Sequence, residues 1–186
     1  ATGIGIDVKV VAGSPAEAIV AEAEAVGADV IAMSTRRESA LARGILGSVT
    51  DRVLHSTSIP LMILQPEDIS DEGVGSGFIQ HIVVPLDGST LSEDAVAPAT
   101  ALAQATGAEL VFTEVIKPPV YGMDMGGVGY GAAVYAEDMD TKLLEESSAK
   151  YLEQFVENAE TAGLKAHAKV RVGNPSIQIV NEASET

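Results

Sequence analysis

The stretch Ala28 to Val53, ADVIAMSTRRESALARGILGSVTDRV, decides how the rest of the chain is read. Its apolar run Val30-Ile31-Ala32-Met33 has the length and composition of a buried parallel strand. A polar loop follows, Ser34 to Arg43. Gly47-Ser48-Val49 then reads as a helix start, with Gly47 letting the backbone approach closely and Ser48 as N-cap. Strand, loop and helix start together make a place where backbone N–H groups face an anion. Four of the five arginines lie here: Arg36, Arg37, Arg43 and Arg52. No Lys or Arg falls between Lys9 and Arg36, or between Arg52 and Lys117. In a chain of net charge −16 that clustering marks a candidate anion site. The same residues suit equally a solvated surface on which the arginines pair with Glu38 and Asp51.

Upstream, Ile6 to Ala12 reads as a strand. Ser14 is a good N-cap, Pro15 stands at the first helical position, and Glu17 completes a capping box. That helix runs to Val26, with Gly27 at the C′ position. Downstream, Ser48 to His55 reads as a short helix. Ile59 to Leu64 reads as a strand, and Pro60, lacking an N–H, favours an edge. Gln65 to Gln80 is rich in Gly, Ser and acids, which makes residues 67–80 a linker. His81 to Leu86 is a strand that runs into Asp87-Gly88-Ser89-Thr90. A helix is expected from Leu91 to Thr106, ending at Gly107, then a strand from Glu109 to Ile116. Lys117 to Ala136 holds two prolines and five glycines and reads as irregular. Glu137 to Ala162 has helical spacing of Leu144, Leu152, Phe155, Val156 and Ala159, and stops at Gly163. Ala166 to Val172 is a strand, and Asn174-Pro175 opens a last helix. Strands alternating with helices point to an α/β fold with parallel crossovers.

Composition narrows the function classes. The 186 residues are 46% hydrophobic but only 4% aromatic, so the core is built from Ala, Val, Ile and Leu. With no cysteine, disulfides and thiolate metal sites are excluded. No apolar run reaches the ~18–20 residues that span a membrane. No secretory signal is visible and the chain does not begin with Met, so a cytoplasmic location is expected. Acids outnumber bases 27 to 11, which argues against nucleic acid or an anionic membrane as partner. His55, His81 and His167 are scattered without metal spacing. No Ser/His/Asp set can be argued, and no residue stands out as a catalytic base. Enzymatic turnover is therefore not expected beyond weak ATP hydrolysis.

The two ends of the chain resemble each other. A shift of 160 pairs Gly3 with Gly163, Lys9 with Lys169, Val10 with Val170, Gly13 with Gly173 and Pro15 with Pro175. It also pairs Ile19 with Ile179, Val20 with Val180, Glu22 with Glu182 and Ala23 with Ala183. Ser14 is matched by Asn174, another capping residue. The pattern reads as a tandem repeat of about 160 residues, sampled out of phase. Residues 1–66 are then the C-terminal half of one domain and 81–186 the N-terminal half of the next.

His81-Ile82-Val83-Val84-Pro85-Leu86-Asp87-Gly88-Ser89 resembles the first strand and loop of the universal stress protein family. Gly47-Ser48-Val49-Thr50-Asp51-Arg52-Val53 resembles that family's closing nucleotide motif, and Ile59 to Leu64 its last strand. The resemblance implies an open, Rossmann-like parallel sheet of five strands, order 3-2-1-4-5, with helices on both faces, of the adenine nucleotide alpha hydrolase-like type. It also implies a ligand site at the carboxyl ends of the strands, where the order reverses. The family signature is Gly, two residues, Gly, nine residues, Gly, then Ser or Thr. Anchored on Gly47 and Ser48, its second Gly falls on Arg37 and its first on Ser34. The chain thus keeps the second half of the signature and lacks both earlier glycines. Arg37 either fills the space that the phosphates need or reaches a phosphate as a fork donor.

The resemblance places Asp87 against adenine or ribose beside Pro85, with Val115 lining the adenine pocket. It places Met33, Ser34, Arg37, Gly47, Ser48 and Val49 around the phosphates. ATP, with Mg, or AMP is the implied cofactor, bound weakly. The other reading is a nucleotide-free, dimeric interaction module. Asp at a strand end is also a common turn residue. The strand Ile59 to Leu64, apolar on both faces, is the expected homodimer or tandem pseudo-dimer edge.

Overall fold

The computed structural model describes residues 5–34, 47–64, 79–117, 120–122, 133–135 and 138–185. The chain divides into two units, Ala1–Ser76 and Gly77–Thr186. Among the described residues no helix is long and apolar enough to cross a membrane.

Unit 1 is built on α1 (Pro15–Val26), β1 (Ile31–Ser34), α2 (Ser48–Leu54) and β2 (Leu61–Leu64). Pro15 opens α1, as its fixed φ predicts, and Gly27 ends it with φ 63° in the left-handed region. The capping box does not form: Ser14 sits at the N-cap but its side chain makes no capping hydrogen bond. At α2 the cap is one residue earlier than expected, with Gly47 as N-cap and Ser48 already helical. β1 and β2 pair in parallel, Ile31 opposite Leu61, and the Ile31 N–H donates to the Pro60 carbonyl at 2.9 Å. The small core holds Ala16, Val20 and Ala23 of α1 against Ile31 and Val53.

The expected strand Ile6 to Ala12 is absent; these residues carry no regular structure. Ile6, Val8 and Val10 are 81%, 88% and 96% exposed. A strand is half of a hydrogen-bond ladder, and no neighbouring strand lies alongside this segment among the described residues.

Unit 2 contains β3 (His81–Leu86), α3 (Thr90–Glu93), α4 (Val96–Thr106), β4 (Glu109–Ile116), β5 (Val120–Gly122), β6 (Ala133–Tyr135), α5 (Asp138–Thr161), β7 (Ala166–Val172) and α6 (Pro175–Glu185). The main sheet is parallel, in the order β3-β4-β7. Its central strand is covered on both faces: Leu110, Val111, Phe112 and Thr113 are all fully buried. That burial explains why β4 reads as a continuous apolar run rather than an alternating one. One face packs Leu110 and Phe112 against Ala103 of α4 and Leu152 and Ala159 of α5. Phe112 and Phe155 lie 5.7 Å apart, ring centre to ring centre. The other face lies under α6, which packs on β3 and β4.

Two expectations change here. The single helix Leu91 to Thr106 is two helices, α3 and α4, broken at Asp94-Ala95. Pro98 explains the break: it lacks an N–H to bond four residues back, so it is tolerated only in a first turn, which α4 provides. The irregular stretch Lys117 to Ala136 carries the short antiparallel pair β5–β6. The described parallel strands thus fall into two sheets, one per unit, rather than one sheet of five.

Candidate ligand pocket at the carboxyl ends of β3 and β4

Parallel strands end their carboxyl termini together, and here the ends of β3 and β4 open into a cavity of ≈ 550 Å³. Pro85, Asp87 and Val115, the three residues expected in this unit, all line it. Register explains the convergence. Pro85 pairs with Thr113, so Val115, two residues on, faces the same side of the sheet one step nearer the mouth. Further lining comes from Ser92, Thr113, Glu114, Lys117 and Ile179. Sequence reading missed Thr113, although the period of two from Val115 was the signal for it. Thr113 is fully buried and its hydroxyl has no hydrogen-bond partner. Such a group costs about 1–3 kcal/mol until something satisfies it.

Asp87 has a defined local structure. Its Oδ1 accepts from the Ser89 backbone N–H at 3.0 Å and from the Ser89 hydroxyl at 2.6 Å. The Ser89 Oγ in turn accepts from Ser92 N at 3.2 Å, capping α3. Hydrogen bonding from Ser89, then Ser92, holds the Asp87 carboxyl below its ordinary value, so it stays an ionised acceptor. The turn role of Asp87 is therefore real, and it leaves the carboxylate exposed at the cavity. The same turn recurs at Asn174, whose Oδ1 accepts from Ser176 N and Oγ at 3.1 and 2.7 Å. Ser89→Ala removes both the cap and the second bond to Asp87. It is expected to cost about 0.5–2 kcal/mol, read by urea unfolding. Tyr151 braces the same region from α5, its hydroxyl donating to Glu93 Oε1 at 2.9 Å. Burial, then Glu93, pushes the Tyr151 hydroxyl up to about 12, so it remains a donor throughout the physiological range.

The other expected residues lie in unit 1. Met33 and Ser34 end β1; Gly47, Ser48 and Val49 open α2. Met33 and Val49 both pack on the unit 1 core. Arg37, like Arg36 and Arg43, lies outside the described residues.

The histidines are less scattered than their sequence positions suggest. His167 Nδ1 lies 2.8 Å from Glu109 Oε1, and His81 Nε2 lies 3.9 Å from Glu109 Oε2. This cluster sits at the amino ends of β3, β4 and β7, opposite the cavity. No group among the described residues has the arrangement to hold a metal ion.

The universal stress protein family model matches residues 1–65 and again 79–186. The chain belongs to the universal stress protein family. Two matches in one chain make it a family member of the tandem type. A solved universal stress protein from Archaeoglobus fulgidus DSM 4304 is similar over 93% of this chain, at 26% identity and a TM-score of 0.58. The match covers 52% of that protein, so this chain spans about half its length. A family protein from Burkholderia pseudomallei aligns over 60% of this chain and 76% of its own, at 18% identity and a TM-score of 0.45. No curated protein matches the sequence.

Proposed function

We propose that this universal stress protein family member acts in a stress response by binding an adenine nucleotide over the carboxyl ends of β3 and β4. The observation that supports this reading is the cavity where Pro85, Asp87 and Val115 meet. Its volume falls within the range of ~300–1,000 Å³ usual for small-molecule sites. Pro85, Val115 and Ile179 supply apolar surface for a flat base. Asp87, an acceptor only, takes donors such as ribose hydroxyls or an exocyclic amine. The Thr113 hydroxyl adds an unused hydrogen-bonding group beneath them.

Charge sets the affinity. A chain of net charge −16 repels an anion, and Lys117 is the one cation among the residues lining this cavity. Binding is therefore weak, in the high-micromolar range or worse, and AMP is favoured over ATP without Mg. Screening by salt relieves the repulsion, so affinity rises from low to moderate ionic strength. Calorimetry with AMP, ATP and Mg–ATP tests this. Asp87→Asn keeps the turn, as Asn174 does in its own, and removes the charge. It is expected to weaken binding about tenfold while leaving stability unchanged. Absence of heat with every nucleotide at millimolar concentration rejects the reading and leaves the nucleotide-free dimeric module.

A further inference from the structure

The repeated strand–helix element is present twice in the described structure, and its two copies are buried on opposite sides. The copies match in detail. Gly13 and Gly173 have φ of 139° and 137°. Lys9 Nζ meets Glu22 at 2.6 Å, and Lys169 Nζ meets Glu182 at 2.6 Å. Pro15 and Pro175 both start the helix.

Burial differs. In unit 1, Ala16, Val20 and Ala23 are 3%, 9% and 8% exposed, covered by Ile31 of β1 and Val53 of α2. Their counterparts Ser176, Val180 and Ala183 in α6 are all exposed, Val180 by 63%. The reverse holds for the sheet-facing side. Glu182 is fully buried, whereas the Glu22 side chain is 33% exposed. One helix face is thus finished in each unit, and the other is left bare.

We propose that the Ser176–Val180–Ala183 stripe of α6, together with the open edge of β3, is the docking surface for a strand–helix–strand segment with the chemistry of residues 28–64. Unit 1 supplies the reason for this occupant. The same helix face, in the same sequence repeat, is covered there by such a segment. The path supplies the position. β7 lies at one edge of its sheet and α6 crosses back over β4 and β3. A chain leaving α6 as unit 1 leaves α1, through a Gly27-like cap into β1 within four residues, enters a strand beside β3.

The open edge carries a reporter. The Gln80 carbonyl accepts from Glu109 N, so even-numbered residues of β3 face β4 and odd-numbered residues face outward. Pro85 has no N–H, which leaves the Val83 amide as the donor in the middle of that edge. The surface needs no ligand and stands whether or not nucleotide binds.

The test appends a second copy of residues 27–64 after Thr186 and follows hydrogen exchange of the Val83 amide. The expected result is slowing by tenfold or more relative to the unextended chain. Val180→Glu in the extended chain should abolish the slowing, while the same change in the unextended chain leaves unit 2 exchange unaltered because Val180 is exposed there. Val180→Ser gives a milder second variant with the same direction. Equal Val83 exchange in both chains overturns the proposal. So does slowing that survives Val180→Glu. Concentration-dependent protection of the unextended chain that Val180→Glu removes would assign the surface to a second copy, and overturns the stated occupant.

Discussion

Replacing Glu182 by alanine is expected to destabilise the unit Gly77–Thr186 by about 2–4 kcal/mol. The carboxylate is fully buried under α6, with Lys169 Nζ at 2.6 Å on Oε1 and Arg171 Nε at 2.7 Å on Oε2. Both cations come from alternate positions of β7, so one acid ties α6 to the sheet edge. Alanine removes the acceptor and leaves two cations facing a cavity. The loss falls short of the ~3–5 kcal/mol usual on breaking a buried pair. The Lys169 and Arg171 side chains retain 34% and 30% exposure, and Arg171 keeps a second partner in Glu185. The repeat provides an internal control. Glu22→Ala breaks the equivalent bond to Lys9, whose side chain is 64% exposed, and is expected to cost under about 1 kcal/mol.

The same group makes stability depend on pH. Burial alone would raise the Glu182 pKa, but the hydrogen bonds from Lys169 and Arg171 outweigh it, and the folded value lies below the ordinary 4.5. Its contribution is therefore complete above the unfolded value and is lost as pH falls through the folded one. Urea unfolding at neutral pH and below pH ~4 should show the wild-type chain losing stability more steeply than Glu182→Ala. Parallel curves for the two proteins would remove Glu182 from the account.

The second large effect is on ligand affinity. Ser34→Gly with Arg37→Gly restores both glycines that the family signature has and this chain lacks. The expected result is a ten- to hundredfold tightening for ATP. A glycine backbone approaches phosphates closely enough for one or two further hydrogen bonds, worth about 1–3 kcal/mol. Calorimetry on the double variant reads it directly. Weakening instead would assign Arg37 as a phosphate ligand, and no change would remove this loop from the site.

Much was legible because it is local. β3, β4 and β7 begin and end where the apolar runs do, since each is bounded by turn residues or by a glycine-ended helix. The left-handed caps Gly27 and Gly107 and the first-turn prolines Pro15 and Pro175 follow from backbone sterics that no neighbour alters. Pro85, Asp87 and Val115 were named together from motif and resemblance, and the register of β3 with β4 puts them on one cavity.

What the sequence alone determined, then, is the order and type of most elements, the repeat, and the position of turns and caps. Tertiary structure decided everything that needs a partner. Ile6 to Ala12 has the same strand pattern as its repeat mate Ala166 to Val172, yet only the latter is a strand, because only it lies beside β4. Ser14 and Ser89 are the same residue at the same helix position, yet only Ser89 bonds its cap, because Asp87 and Ser92 hold its hydroxyl in place. His81 and His167 meet on Glu109 through strand register, which no spacing along the chain encodes. Glu22 and Glu182 stand in equivalent places, and the sheet beneath α6 alone makes the second a buried charge. Local conformation is set by a residue and its near neighbours; ladders, burial and ion pairs are set by whatever the fold brings alongside.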